Sequence, residues 1–485
     1  MNRSTFLAST PLVTLSLSKG APVPPSVTPR YRRAAEASRP TDIPDAKQIA
    51  AEVRAEFLHA WNGYKQFAWG ADEVAPISGK PKNFFVQTHS FGLSIIEAMD
   101  TLYVMGLDDE LAACVKWLRS NLDFDVDANV QMFEAVIRMV AGLITGYYAT
   151  GERFLLDAAR DLADRLLVCF TKSPSGAPYR YANLKTGAVS DPKSNLAEIG
   201  SNVLEFGDLS RLTGDPKYVT ASMKAFEAAI AKRSSLNLLG TNFDVEKGEF
   251  SGTDDVAPDE PVDSFYEYLW GGWQMLRIAQ CRDWYRMLTD ALLKYKVTHV
   301  NGNLWFKTVD YTTGLASGDA SSSELAAFYA ELVAKGGDRA VGEAFYDSWT
   351  RALDKYELIP EVIFYPDLSI VDPRYWMRPE YPNSSFDLWF LTHNQKYRAT
   401  AYQYFTALRK YCRTPNGYTV LTDVRTRPMT QGDYFPAYSF SENFKYLYLM
   451  FADSPRFDGS NYYLNTEAKI MRGMRGGGAE ARVRT

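Results

Sequence analysis

The sequence predicts an all-α fold: a double-layered α/α toroid of about seven helical hairpins, with irregular loops and short strands at the mouth. Three observations carry this prediction. About fourteen apolar segments with a 3.6-residue repeat follow one another between residues 43 and 470. Strand-like runs are short and fall between those segments, as in 361-EVIFY-365 and 418-YTVLTDV-424, and no Gly-rich phosphate loop follows a strand. Acidic residues recur near the start of every second segment, so closing the hairpins into a ring would gather a crown of carboxylates at one end.

Taken in order, segment 47–69 leads to 91–105, which carries Glu97 and Asp100. Segment 108–121 leads to 129–149, with Glu134 and, four residues on, Arg138. Segment 152–170 leads to 195–213, which opens at Glu198. Segment 215–235 leads to 261–279, where Asp263 takes an N-cap position behind the Pro-rich 255-DVAPDEPV-262 and Glu267 projects from the same face one turn later. Segment 281–299 leads to 320–335 with Glu324, 338–356 leads to 379–393 with Glu380, and 396–412 leads to 438–452 with Glu442. The odd-numbered segments show no such pattern, and their starts read as solvent-facing. Each acid by itself fits a cap or an anion drawn to a positive helix end, worth ~0.3–1 kcal/mol. That reading predicts acids on odd segments too. Carboxylates entering apolar faces are costly unless chemistry uses them.

Composition narrows the function. The chain has 485 residues, 46% of them hydrophobic, enough for a large core. Its length suggests about three domains, but no linker divides 43–470, which is read as one domain. The net charge of -5 comes without any basic block, which argues against a nucleic-acid partner. No stretch reaches the ~18 apolar residues of a membrane span. Aromatic residues make up 14%, which suits sugar binding and helical core packing alike. Cys114, Cys169, Cys281 and Cys412 lie far apart and outline no disulfide framework, and the four histidines show no zinc spacing. Residues 1–42 combine a weakly apolar 5–18 with the Pro-rich 21-APVPPSVTPR-30. They read either as an export signal, giving a periplasmic or secreted protein, or as a disordered leader. The Gly- and Arg-rich tail 471–485 reads as disorder. A monomer is expected.

Eight stretches, in order, then carry a resemblance. They are 59-HAWNGYKQFAWGADEVAPISG-79, 98-AMDTLYVMGL-107, 121-NLDFDVDANVQMFEAVIRMVAGL-143, 196-LAEIGSNVLEFGDLSRLTGDPKY-218, 263-DSFYEYL-269, 378-RPE-380, 442-ENFKYLYLMF-451 and 465-NTEA-468. Together they resemble glycoside hydrolase family 47, the class I α-1,2-mannosidases, over roughly residues 57–470. The resemblance implies an (α/α)7 barrel, in agreement with the hairpin count. It implies inverting removal of terminal α-1,2-linked mannose from an oligosaccharide, with bound Ca²⁺. Inversion needs an acid and a base on opposite sugar faces, ~6.5–9.5 Å apart, a separation that acids on different inner helices can meet.

By motif position the resemblance assigns the general acid to Glu134 in 133-FEAVIR-138, with Asp263 as the other acidic candidate and Glu380 as the base. Burial of Glu134 in an apolar helix would raise its pKa; the competing reading is an intrahelical pair with Arg138. Arg378 would keep Glu380 ionised or bind substrate, and Pro379 would set Glu380 on the inner face. Thr466 is the implied Ca²⁺ ligand, with Glu198, Glu267, Glu442 and Glu467 holding the waters of its shell and contacting substrate.

The chain also departs from the family pattern. Asn383 replaces the second acid of RPExxES, Glu324 a histidine, Ala327 a disulfide cysteine and Tyr438 a phenylalanine beneath the sugar. Pro261 stands where the endoplasmic-reticulum type carries an arginine, so that branch selectivity does not transfer. The short loops and missing cysteine resemble a bacterial member. Asn383 and Glu324 keep a second reading open, a mannose-glycan-binding protein with weak catalysis.

Overall fold

The computed structural model describes residues 43–478. The expected leader, 1–42, and the last seven residues lie outside the described part. Fourteen helical segments occupy the predicted places among the described residues. They are α1 (Ala46–Ala68), α2 (Leu93–Val104), α3 (Asp108–Asn121), α4 (132–150), α5 (Arg153–Leu166), α6 (196–213) and α7 (Lys217–Ile230). The second half comprises α8 (Ser264–Leu276), α9 (Ala279–Tyr295), α10 (324–335), α11 (Arg339–Tyr356), α12 (Glu380–Thr392), α13 (Gln395–Tyr411) and α14 (438–451).

The even-numbered helices form the inner ring. α2 packs on α4, α4 on α6, α6 on α8, α10 on α12, α12 on α14, and α14 returns to α2. The step from α8 to α10 is made by Tyr266 and Tyr329, whose rings meet edge to face at 6.4 Å. Each odd-numbered helix from α3 onward packs outside the even-numbered helix before it, and α1 backs α14. Burial explains the two layers. All twelve residues of α2 are buried, as an element enclosed on every side requires. In α5 the buried residues are Leu155, Leu156, Ala159, Leu162, Ala163 and Leu166, a single stripe with charged residues between them.

Strands are two to four residues long and sit in the loops. Three of them run straight into inner helices: Asn129–Gln131 into α4, Lys193–Asn195 into α6 and Ser321–Ser323 into α10. Each belongs to a three-stranded sheet, whose ladder fixes where the helix begins. Those starts place Glu134, Glu198 and Glu324.

Two expectations are corrected. Acids are not confined to even helices, because α3 opens with Asp108, Asp109 and Glu110. What separates the layers is burial: Asp108 and Asp109 are exposed, whereas Glu97, Glu324 and Glu442 are buried. The domain also continues past residue 470. Ile470–Arg472 pairs with Tyr463–Leu464 in a hairpin, and Met474 bridges Phe457. Met471 and Met474 are buried, which holds this part of the tail on the barrel.

Candidate active site

The inner helices become irregular where they approach the mouth. In α4 the residues Ala135–Val140 form a π-helical turn. α6 breaks between Gly200 and Val203, α10 begins as the 3-10 turn Glu324–Phe328, and α14 breaks at Glu442. Such turns re-aim the side chains around them and recur at functional sites. The hairpin of Tyr463–Leu464 and Ile470–Arg472 carries Thr466 at its tip. Its turn is set by Asn465, whose Oδ1 accepts from the backbone N–H of Glu467 at 3.0 Å and of Lys469 at 2.8 Å.

One small cavity of about 30 Å³ is lined by Asp263, Ser264, Glu267, Leu325, Phe328, Glu380, Asn383, Glu442 and Thr466. The tertiary fold therefore brings acids of α8, α12 and α14 to the threonine of the hairpin. A larger groove on the outer wall, about 660 Å³ with Trp69, Lys116 and Trp117 in its lining, includes none of these residues.

Glu134 does not line the cavity itself. Its Oε2 accepts from Arg138 Nε at 2.6 Å, and its side chain is 20% exposed. Of the two readings of Glu134, an acid held in an apolar helix and an intrahelical pair with Arg138, the structure shows the pair. Arg138 is buried and shared, donating through Nη1 to Glu467 at 2.8 Å and to Glu97 at 3.3 Å. Since Glu467 follows Thr466, Arg138 couples Glu134 to the hairpin tip.

Asp263 caps α8, its Oδ1 accepting from Ser264 N at 2.8 Å. Burial pushes its carboxyl up to about 6. Burial pushes Glu380 up to about 8, against the opposing charge of Arg378. Yet Arg378 spends its hydrogen bonds elsewhere, on Glu361 Oε1, at 2.8 Å from Nε. Arg378 therefore acts on Glu380 through its charge rather than through a hydrogen bond, and Glu380 Oε2 is left buried without a partner. Glu267 is pushed well up by burial and then by Glu331, while the Thr466 side chain hydrogen-bonds to it. Glu442 is likewise pushed well up by burial and then by Glu467. Burial also raises Glu467, to about 8, although Arg138 opposes it. The region thus holds more carboxyl groups than cations to balance them.

Glu198 stands apart from the cavity. Its carboxylate accepts from Arg180 Nε at 2.8 Å, Gln131 at 2.9 Å and Ser194 at 3.2 Å. Arg180, beside strand Tyr181–Asn183, is a local counterion that the helix pattern did not reveal. Tyr438 keeps its ring near the site, 5.5 Å from the Arg138 guanidinium carbon, with its hydroxyl donating to the Trp376 carbonyl. Asn383 lines the cavity and donates to Asp387 at 3.2 Å. Glu324 is fully buried beside Glu380, with neither oxygen partnered, and its carboxyl is pushed well up by burial and by Glu380. Sequence reasoning missed Glu361, the partner of Arg378, and Lys469, which pairs with Glu97 in full burial. Lys469 directly follows NTEA, so a cation beside that motif was the available signal.

The model of glycosyl hydrolase family 47 matches residues 56–473. The chain belongs to this family. A glycosyl hydrolase of family 47 is therefore the frame for the cavity and its acids. The human mannosyl-oligosaccharide 1,2-alpha-mannosidase IB is 30% identical over 456 residues, covering 87% of this chain and 70% of the relative. An Arabidopsis thaliana mannosyl-oligosaccharide 1,2-alpha-mannosidase is 32% identical over 472 residues, 88% of this chain and 79% of the relative. The solved alpha-1,2-mannosidase from Trichoderma reesei superposes with a TM-score of 0.80 at 25% identity, covering 88% of this chain and 99% of that one. The barrel of fourteen helices is the family 47 (α/α)7 fold, and the chain is a glycoside hydrolase.

Proposed function

We propose that this enzyme removes terminal α-1,2-linked mannose from oligosaccharides with inversion, using Ca²⁺. The observation supporting this most directly is the meeting of Asp263, Glu380 and Thr466 around one small cavity. The relatives, mannosyl-oligosaccharide 1,2-alpha-mannosidases, support this choice of substrate.

The residues fit a hard cation. Carboxyls outnumber cations, Glu380 Oε2 is an orphaned buried acceptor, and Thr466 offers hydroxyl and carbonyl oxygens. Among the described residues no three His, Cys, Asp or Glu side chains form a direct metal cluster. Thr466 would therefore hold the ion, with Glu267, Glu442 and Glu467 reaching it through water. When bound, Ca²⁺ supplies positive charge that orients sugar hydroxyls.

The side chains divide the remaining work. Glu380 takes the proton of the attacking water in its ionised form, which the positive charge of a bound Ca²⁺ would favour against the burial that raises it. Asp263 and Glu134 stand on the donor side, Asp263 retaining a proton up to about pH 6 and Glu134 oriented by Arg138. Tyr438 offers an aromatic face to the ring. Proton NMR of α-1,2-mannobiose hydrolysis tests the reading: β-mannose appears first, and initial α-mannose would refute inversion. Full activity in a strong chelator would refute the metal.

A further inference from the structure

The loop 69–92 between α1 and α2 holds an aromatic side chain that the chemistry above leaves unused. Phe84 is 37% exposed, the one aromatic among the exposed large apolar side chains of the described residues. Its position is nonetheless fixed. Asp72 is fully buried and accepts from the backbone N–H of Phe84 at 2.9 Å, of Phe91 at 2.8 Å and of Leu93 at 3.1 Å. One carboxylate thereby ties the loop to the first residue of α2. Asn83 Nδ2 donates to Gln87 O at 2.9 Å, which closes the loop on itself. An aromatic ladder supports the ring from below: Phe84 meets Phe85 edge-on at 4.9 Å, and Phe85 meets the buried Phe91 at 5.9 Å.

This ring lies 5.4 Å from the guanidinium carbon of Arg138, the residue that holds Glu134. It does not line the acid cavity. An exposed aromatic ring thus stands beside Arg138, which pairs with the donor candidate Glu134, and outside the lining of the acid cavity. Leaving such a ring in water forgoes its burial, and a platform for a ligand recovers it. The C–H face of a pyranose is an apolar surface of suitable size. We propose that Phe84 is the platform for the sugar on the leaving side of the scissile bond, and so a specificity-determining residue. This rests on the glycosidase reading given above.

The test compares wild type, Phe84→Ala, Phe84→Leu and Phe84→Tyr as full-length, Ca²⁺-supplemented proteins hydrolysing α-1,2-mannobiose. Phe84→Ala raises KM about tenfold and lowers kcat less than about threefold; Phe84→Tyr stays within about twofold of wild type, and Phe84→Leu does not. Inhibition by free mannose, which needs only the cavity, is the same in all four. An unchanged KM in Phe84→Ala overturns the proposal. So does full rescue by leucine, or a loss of mannose inhibition parallel to the rise in KM, which would show Phe84 acting only through Arg138. Failure of the wild type to hydrolyse mannobiose would instead sink the glycosidase reading. Calorimetric titration of mannobiose into wild type and Phe84→Ala then decides the platform, with equal affinities counting against it.

Discussion

Arg138 Nη1 lies 2.8 Å from Glu467 Oε2, which joins the fourth helix to the tip of the C-terminal hairpin across 329 residues of sequence. The same guanidinium holds Glu134 through Nε and reaches Glu97. A planar fork can serve three carboxylates at once, and an ammonium cannot copy its geometry. Arg138→Lys therefore lowers kcat/KM for α-1,2-mannobiose by about a hundredfold although the charge is kept. Steady-state kinetics check this; wild-type kcat/KM in the lysine variant would show that charge alone suffices.

The proposed base and the two donor candidates separate by substitution. Glu380→Gln lowers kcat by ~10²–10⁴, the usual worth of a general base. Asp263→Asn lowers it at least as much as Glu134→Gln, because burial keeps Asp263 protonated up to about pH 6 whereas Glu134 is tied to Arg138. Turnover of the three variants between pH 5 and 8 settles the order, and a smaller loss in Asp263→Asn would move the donor role to Glu134.

If Ca²⁺ binds as proposed, its removal changes stability in a pH-dependent way. Glu380 and Glu467 are raised in the folded protein to about 8. Groups with raised folded pKa contribute stability below their unfolded pKa, and lose it as pH rises through the folded value. The chelated protein therefore melts at lower temperature at pH 8 than at pH 5, and Ca²⁺ restores more at pH 8. Thr466→Ala removes that increment. Melting curves in chelator and in Ca²⁺ at the two pH values provide the test, and an equal increment at both would contradict the account.

A second pH effect lies outside the proposed Ca²⁺ site. Glu73 accepts from Ala437 N at 3.0 Å and from Tyr434 at 2.7 Å, and burial pushes it up to about 7. The stability it contributes is complete below about pH 4.5 and fades as pH rises through 7. A rise from 4.5 to about 7 corresponds to roughly 3 kcal/mol at ~1.4 per unit. Glu73→Gln should flatten the fall in unfolding free energy between pH 5 and 8 by up to that order. Urea titrations across the range read it directly.

Much of this was legible in the chain. The 3.6-residue repeat located all fourteen helices, since a wholly buried inner helix and a one-sided outer helix share the same period. Glu134, Asp263, Glu380 and Glu442 were each placed near the start of an inner helix. The counterions were less legible. Arg378 was read as keeping Glu380 ionised or binding substrate; its charge does oppose the rise of Glu380, but Glu361, beside strand Val362–Phe364, takes its hydrogen bonds. Glu198 was placed with the metal-water acids, but Arg180 from a neighbouring loop engages it. The odd–even contrast in acids was a contrast in burial, and α3 shows that counting acids alone misleads.

The sequence by itself determined the number and order of helices, the acids at their starts and the motifs of the family, because periodicity and local motifs depend on residues a few positions apart. The tertiary structure decided which acids share the cavity, which arginine answers which carboxylate, and that Lys469 is buried against Glu97 372 residues away. Charge interactions depend on distance and burial in space, and those are fixed only when the ring closes and the hairpin enters it.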